Sequence, residues 1–365
     1  MSNDIIKVTV ECAPNIALIK YWGKSDEDLI LPLNGSISIT LDTSVLRTRT
    51  TLTLSRTGKQ LTEVYLSLNG VVEEFDDSSS SSKEKSVGSD SDGKVNKKRF
   101  FRMLERARAS SQLDDPFAFN RIDIVSDNDF PLACGLASSA SGFACLALCM
   151  ASAFRCDRNK LDATELARLG SGSACRSCLG GFVKWSSGDE RSSLATQLFG
   201  ADHWPELNIL AVVFQEHRKK VSSTAGMKET VRTSELLGRR VELVEQERLG
   251  QMETYLRERD FVNFAKLTMK DSNTFHAVCM DTYPPLFYLN DYSKQLIGLV
   301  NEFNRLSVND DDLSIKVAYS FDAGPNAFLF VLDKNLNELL YLINTIYFRS
   351  SKDFASKFVL KSKSS

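Results

Sequence analysis

Apolar and polar side chains alternate along residues 5–12 and again, strictly, along RTRTTLTLS at 47–55. A period of two is the signature of a half-buried strand, and residues 36–55 as a whole read as two strands. EVYLSL at 63–68 and VVEEF at 71–75 flank Asn69-Gly70. That dipeptide supplies the two positive φ angles of a type I′ turn and predicts a hairpin. Residues 76–94, DDSSSSSKEKSVGSDSDGK, then carry a single apolar residue. Such a segment buries no core and reads as a solvated, disordered insertion, with a phosphorylation segment as the alternative. A basic helix is predicted over 97–112, a strand over 121–126, and a helix from Ala140 with Phe143, Leu146, Ala147 and Met150 on one stripe. A second helix near 162–170 and a strand FVKWS after Gly180-Gly181 follow.

Around 186–205 the pattern loosens, and the division into domains is expected there, as 1–195 and 196–365. Beyond it LNILAVVF at 207–214 reads as a buried strand. Helical patterns cover 222–237, 241–257, 260–270, 293–304 and 334–348. The strand pair IKVAYS and AFLFVL flanks the turn FDAGPN at 321–326. Strands in the first half and a strand–helix mixture in the second predict an α+β protein of two domains.

The charge balance narrows the partners. Lys plus Arg is 45 against 47 for Asp plus Glu, a net charge of −2, so bulk attraction to nucleic acid or to an anionic membrane is excluded and any anionic ligand needs a local basic cluster. No apolar run approaches the ~20 residues of a spanning helix, and the first residues resemble neither a signal nor a transit peptide, so a cytoplasmic protein is expected. The eight cysteines are expected as reduced thiols, with Cys145 and Cys149 as small core residues. Cys175 and Cys178 form a lone CxxC without the second ligand pair that a structural zinc requires, and the three histidines are scattered.

Four segments carry candidate chemistry, each with a plainer reading beside it. PLACGLASSASG at 131–142, between strand and helix, is almost all small. It either packs a tight turn or lets backbone N–H groups and the helix N-terminus approach a phosphate. It is neither a Walker loop nor a dinucleotide fingerprint. APNIALIKYWGK at 13–24 places Lys20 and Lys24 around Tyr21: either solvated lysines or two cations and a hydroxyl over a phosphate. SGSACR at 171–176 is either a capped turn with a surface Arg176, or two hydroxyls, Ser171 and Ser173, beside a guanidinium that grips a carboxylate. Asp322, before Gly324-Pro325, either serves the turn or is presented as a general base.

Together these segments resemble the diphosphomevalonate decarboxylases, a branch of the GHMP kinase superfamily. The resemblance runs from about Val8 to about Phe348. It rests on PNIALIKYWGK, NGSISITL, FPLACGLASSASGF, GSGSACRS, VSSTAGM (221–227), DSNTFHA (271–277) and YSFDAGPNA. It implies a two-domain GHMP kinase fold, with a ribosomal protein S5 domain 2-like N-terminal domain, a ferredoxin-like C-terminal domain and the active site between them. It implies ATP and Mg²⁺, with Gly135, Leu136, Ser138, Ser139 and Ala140 at the nucleotide and Ser139 at the metal. Tyr21, Trp22, Gly23, Lys24, Arg99, Ser171, Gly172, Ser173, Ala174, Cys175, Arg176 and Thr224 match substrate-binding positions, with Arg99 toward the diphosphate and Arg176 toward the carboxylate. Asp322 matches the base for the 3-hydroxyl, with Lys20 beside it, and Ser139 counts among the catalytic residues.

The implied reaction is phosphorylation of a tertiary hydroxyl followed by loss of phosphate and CO₂, yielding isopentenyl diphosphate for isoprenoid and sterol synthesis. A homodimer is implied as well. Gly35 stands where relatives often carry Ser, and the serine-rich insert is longer than the family needs. A kinase of the same superfamily that stops at the phosphorylated alcohol, and a non-catalytic diphosphate-binding protein, are the alternatives.

Overall fold

The computed structural model describes residues 5–77, 96–130, 138–214, 220–306, 315–348 and 359–362. Most of the serine-rich segment, and the glycine-bearing part of the small-residue loop including Gly135 and Leu136, lie outside them. Of Ser138 only the backbone is described.

The first half holds two sheets. β1 (Ile5–Cys12), β6 (Thr48–Arg56), β9 (Phe119–Asn128), β7 (Glu63–Leu68) and β8 (Val71–Asp76) form a five-stranded sheet in that spatial order. The predicted hairpin is present: Asn69 and Gly70 have φ of 48° and 80°, and Leu68 pairs with Val71. Asp76, placed at the start of the disordered insertion from sequence, instead ends β8, and the Asp77 carboxylate accepts from the Thr62 N–H. Leu52, Leu54, Val64, Leu66, Ile122 and Ile124 point to one face of this sheet. There they meet Phe100, Phe101 and Leu104 of α1 (Lys97–Ala109), Leu146, Ala147 and Met150 of α2 (Ser138–Ala153), and Leu166 and Leu169 of α3 (Ala163–Gly170). Of the stripe predicted for α2, Leu146, Ala147 and Met150 are buried and Phe143 is half-buried; the helix is also buried off that stripe, at Ala144, Cys145 and Cys149.

The second sheet runs β11 (Ala195–Phe199), β10 (Phe182–Trp185), β5 (Ser36–Thr40), β2 (Asn15–Ile19). Pairing with β10 carries the first half's sheet as far as Phe199. β2 and β5 are buried on both faces, which explains why β2 showed no readable alternation. Their period of two still sorts the side chains. Ile16, Leu18, Ile37 and Ile39 enter the large core shared with the second half. Asn15, Ser36, Ser38 and Thr40 face the four-residue helix α4 (Ala174–Ser177).

The second half is an antiparallel sheet, β13 (Val317–Phe321), β14 (Ala327–Leu332), β12 (Leu207–Val212), β15 (Val359–Ser362), with helices packed on it. The expected helix at 222–237 is two: α5 (Ser223–Thr233) stops because Ser234 is extended, and α6 (Leu236–Leu243) restarts the run. A π-turn, Val244–Arg248, joins α6 to α7 (Leu249–Glu258). α8 (Phe261–Asp281) runs eleven residues past the expected end at 270. Asp271, Ser272 and Asn273 are poor helix formers, but the Asp271 carboxylate is taken up by two arginines and no longer competes for the backbone. α9 (Asp291–Arg305) and α10 (Asp333–Ile343) complete the layer.

Two glycines permit a test of the backbone argument. Gly181 has φ +70°, and a Cβ there would stand 2.3 Å from the Phe199 carbonyl oxygen. Gly70 has φ +80°, with nothing within 4 Å. Gly70→Ala is expected to cost about 1 kcal/mol, the left-handed penalty alone. Gly181→Ala is expected to cost at least about twice that, since the clash adds to it. Urea unfolding midpoints of the two variants check the order, and equal losses would contradict it.

Candidate active site

The site is built where β2 ends. β2 pairs with β5 from Asn15 to Ile19 with a register shift between Ala17 and Ile19. A bulge of this kind frees a carbonyl and re-aims the next side chain. The freed Ala17 carbonyl accepts from Lys20 Nζ (3.2 Å) and from Ser320 Oγ (3.3 Å). Lys20 Nζ also donates to Asp322 Oδ1 at 2.6 Å. The lysine side chain is 3% exposed and the aspartate's 30%. Among the described residues the Asp322 carboxylate takes no hydrogen bond from its own turn, which is closed instead by Gly324 N–H donating to the Asp322 carbonyl at 2.7 Å. Its carboxylate is presented at the C-terminal end of β13, half-open, with a buried cation against it.

Arg176 lies on α4, 3% exposed. Its Nε donates to Asn15 Oδ1 (3.1 Å) and Ser38 Oγ (3.0 Å), and its Nη1 to Ser36 Oγ (2.7 Å). Asn15 in turn donates to Ser177 Oγ and the Ser173 carbonyl. Nη2 has no hydrogen-bond partner among the described residues. Burial lowers the Arg176 pKa, with Asp322 and Tyr21 among the groups that oppose the shift. The guanidinium is thus fixed on one side and offers its other end to a ligand. Asn15, Ser36 and Ser38 had no role in the sequence reading. The alternation Ser-Ile-Ser-Ile in a strand buried on both faces is the signal, because a buried polar stripe must have a polar partner.

Tyr21 stands beside Arg176, its ring edge-on to Trp185 at 4.7 Å. Gly172 makes the room: a Cβ there would lie 2.9 Å from Trp185 and 3.0 Å from Tyr21. The Tyr21 hydroxyl is buried and has no partner among the described residues. Burial, with Glu27 adding to it, pushes its pKa well above the ordinary range, so it remains a protonated donor. Lys24 is 6% exposed and pairs with Glu27 at 2.5 Å. Both lysines are therefore buried rather than solvated. Arg99, half-buried on α1, reaches the Gly170 carbonyl at 3.4 Å and acts electrostatically on Tyr21.

Trp22 turns away from this group. Its indole N–H donates to Thr230 Oγ1 (3.1 Å) and its ring packs against Phe275 and Tyr288. Gly23, with φ +88°, lets Leu33 and Val231 approach. Ser171, Ser173, Ala174 and Cys175 form the turn that presents Arg176. The Cys175 thiol is buried and raised to about 12, and Cys178 is raised well above its ordinary value, so the CxxC pair is unreactive. The seven described cysteines are free thiols. Thr224 sits half-buried in the first turn of α5, and no contact joins it to the Lys20–Arg176 group among the described residues. Ser139 is exposed and Ala140 buried in the first turn of α2, which bears no acidic residue.

Two family models match the chain. The Diphosphomevalonate decarboxylase-like N-terminal domain covers residues 12–195, and the Mevalonate 5-diphosphate decarboxylase C-terminal domain covers 209–365. The chain is 44% identical to the human diphosphomevalonate decarboxylase over 91% of its length and 78% of that protein. It is 43% identical to the bovine protein over 92% and 79%. Mevalonate diphosphate decarboxylase from Trypanosoma brucei superposes with a TM-score of 0.81 at 33% identity, over 98% of this chain and 96% of that one. A solved complex, "MDDEF in complex with MVAPP, AMPPCP and Magnesium", superposes with a TM-score of 0.78 at 29% identity, over 99% and 97%.

His276 provides a pH test of the packing behind the site. It lies under Phe321, its Nε2 3.3 Å from that residue's carbonyl oxygen. Burial, helped by Lys20, pushes its pKa down to about 3 from an ordinary 6.5. Between those values the unfolded chain takes up a proton that the folded chain refuses, so stability falls as pH falls through that window and is unaffected above it. The slope from this residue is at most about 1.4 kcal/mol per pH unit. His276→Gln is expected to flatten stability against pH between 6.5 and 4.5 in urea unfolding, and an unchanged slope would contradict the assignment.

Proposed function

The chain belongs to the diphosphomevalonate decarboxylase family, and from that membership we propose how its residues divide the reaction. The protein converts ATP and (R)-5-diphosphomevalonate to ADP, phosphate, carbon dioxide and isopentenyl diphosphate, a step of the mevalonate pathway. The observation that carries the assignment of roles is the Lys20–Asp322 pair, closed between the two halves with Arg176 acting electrostatically on the same carboxylate.

Asp322 accepts the proton of the substrate's 3-hydroxyl as that oxygen attacks the γ-phosphorus of ATP and the bond to ADP breaks. Lys20, bonded to the carboxylate at 2.6 Å, keeps it aimed. In the second step the C3–O bond breaks with its electron pair going to the leaving phosphate. The electrons of the C1–C2 bond form the new C2–C3 double bond, and C1 departs as CO₂. Arg176 on the carboxylate stabilises the ground state more than neutral CO₂, which by itself opposes that step. Its contribution is alignment: a guanidinium pinned by Asn15, Ser36 and Ser38 holds the carboxylate so that the breaking bond lies against the leaving phosphate. The unpartnered Tyr21 hydroxyl, Lys24 and Arg99 take the substrate's diphosphate, with Ser171, Ser173 and Thr224 as further substrate contacts.

The first turn of α2 takes the ATP phosphates, since the N-terminus of a helix with no acidic residue in its first turn fits an anion. Among the described residues no group of three or more His, Cys, Asp or Glu forms a metal cage. An ion carried in on nucleotide phosphates needs few protein oxygens, and the exposed Ser139 hydroxyl is one that fits. Mg²⁺ supplies charge neutralisation on the phosphates. No described helix is long and apolar enough to cross a membrane. We place the protein in the cytoplasm, as a homodimer with domains 1–195 and 196–365, its product feeding isoprenoid and sterol synthesis.

Release of ¹⁴CO₂ from carboxyl-labelled diphosphomevalonate, dependent on ATP and Mg²⁺, tests the activity itself. Asp322→Asn keeps the size and the turn and removes the base. It is expected to lower kcat by at least ~10²-fold with nucleotide affinity little changed. Rapid quench of that variant should show no 3-phospho-5-diphosphomevalonate. Its accumulation would assign Asp322 to the elimination step instead.

A further inference from the structure

Lys20 is the first residue beyond β2, so its backbone has no ladder partner, yet its peptide groups are gripped from both sides. Its N–H donates to Asp271 Oδ2 at 2.8 Å. Its carbonyl accepts from Arg240 Nη2 at 2.9 Å and from Asn34 Nδ2 at 3.0 Å. Asp271, on α8, is wholly buried. Its Oδ1 also accepts from Arg240 Nη1 (3.0 Å) and Arg248 Nη1 (2.7 Å), and its Oδ2 from Arg240 Nη2 (3.1 Å). Arg248 Nη2 is held by Thr274 Oγ1.

The two arginines are eight residues apart on one helical run. In an uninterrupted α-helix they would be rotated from one another by about 80°. The intervening π-turn ends with the Leu249 N–H bonded to the Val244 carbonyl, an i→i+5 closure. A wider turn rotates less per residue and takes up that drift, so Arg240 and Arg248 meet one carboxylate from the same face. π-bulges are costly irregularities kept where a site needs them. Here the beneficiary is the Lys20 backbone, a chain segment from the other half of the protein.

We infer that Asp271, clamped by Arg240 and Arg248 across the π-turn, is a positioning residue for the reaction: it fixes the Lys20 peptide and thereby the placement of Lys20 Nζ on Asp322. The inference rests on the role proposed above for the Lys20–Asp322 pair. Asp271 and Arg240 are buried and bonded to protein groups, and Arg248 is bonded at both ends of its fork to Asp271 and Thr274. They act on kcat through Lys20, because reacting groups displaced by about 1 Å lose on the order of 10²-fold, while the groups that bind diphosphate and nucleotide are left alone.

Asp271→Asn is a poor test, since it strands two buried guanidinium groups without a counter-charge and threatens folding. Arg248→Met removes one of the two cations and leaves Arg240 to neutralise Asp271. Folding is checked by circular dichroism and thermal melting. In the folded variant kcat is expected to fall at least about tenfold, with KM for diphosphomevalonate and for ATP within about twofold of wild type. Arg248→Lys, which restores a cation to Asp271, is expected to recover most of the loss. Thr274→Val removes the outer contact of Arg248 and the Thr274 bond to the Lys270 carbonyl but leaves both cations on Asp271, so kcat should stay within about twofold of wild type, and a tenfold loss would count against a clamp that acts through Asp271. A folded Arg248→Met enzyme with wild-type kcat, a loss confined to KM, or an Arg248→Lys no better than Met would overturn the inference. Failure of wild type to release CO₂ in the same assay would instead overturn the activity on which it rests.

Discussion

One ion pair, a buried lysine on a half-open carboxylate, sets the terms for the rest of the molecule. Lys20 is almost wholly withdrawn from water, and an unpaired ammonium in that position would cost several kcal/mol. Its counter-charge, Asp322, lies some three hundred residues away in sequence, on the turn between β13 and β14. The turn must therefore dock against the end of β2, and the two halves must pack as one. The large core achieves this: Ile16, Leu18, Ile37 and Ile39 of the first half lie in the same apolar cluster as Leu210, Phe264, Phe321 and Phe330 of the second. The position of β13–β14 is further tied by Ser293 of α9, which caps its own helix and donates to the Pro325 carbonyl at 2.8 Å.

The same pair explains how a chain of net charge −2 can receive anions. The site gathers the buried cations Lys20, Lys24, Arg176, Arg240 and Arg248, while the acids beside them are already bonded to these cations, Asp271 to two of them and Asp322 and Glu27 to one each. The surplus is positive and poorly screened by solvent, so a carboxylate or diphosphate brought to these side chains is attracted strongly. Net charge averages this away, which is why a net charge of −2 argues against bulk attraction to nucleic acid without arguing against a polyanionic small molecule.

Much of the fold could be read from the chain because its elements are punctuated locally. The alternation at 47–55, the Asn69-Gly70 turn and the apolar stripe from Phe143 to Met150 need no tertiary context, and each appears where expected. β2 was missed because a strand buried on both faces loses the period that marks it. The far end of α8 was missed because Asp271 and its neighbours look like a helix stop until the arginines that neutralise Asp271 are known. At the site, residue types and spacing singled out Lys20, Tyr21, Arg176 and Asp322, and the structure brings them together. What spacing does not carry is support. Ser36 and Ser38 reach Arg176 across a sheet, and Arg240 and Arg248 reach Asp271 only through a π-turn that no periodicity announces.

Lys20 and Asp322 act as one unit across the two halves, a property that a double-mutant cycle on kcat measures. Lys20→Met, Asp322→Asn and the double variant would be compared by single-turnover CO₂ release, each first shown to be folded. Groups that work as a unit are strongly non-additive, so the double variant is expected to be no slower than the slower single variant within about threefold. Losses that multiply, as for independent sites, would show that the two residues serve the reaction separately and would contradict the account.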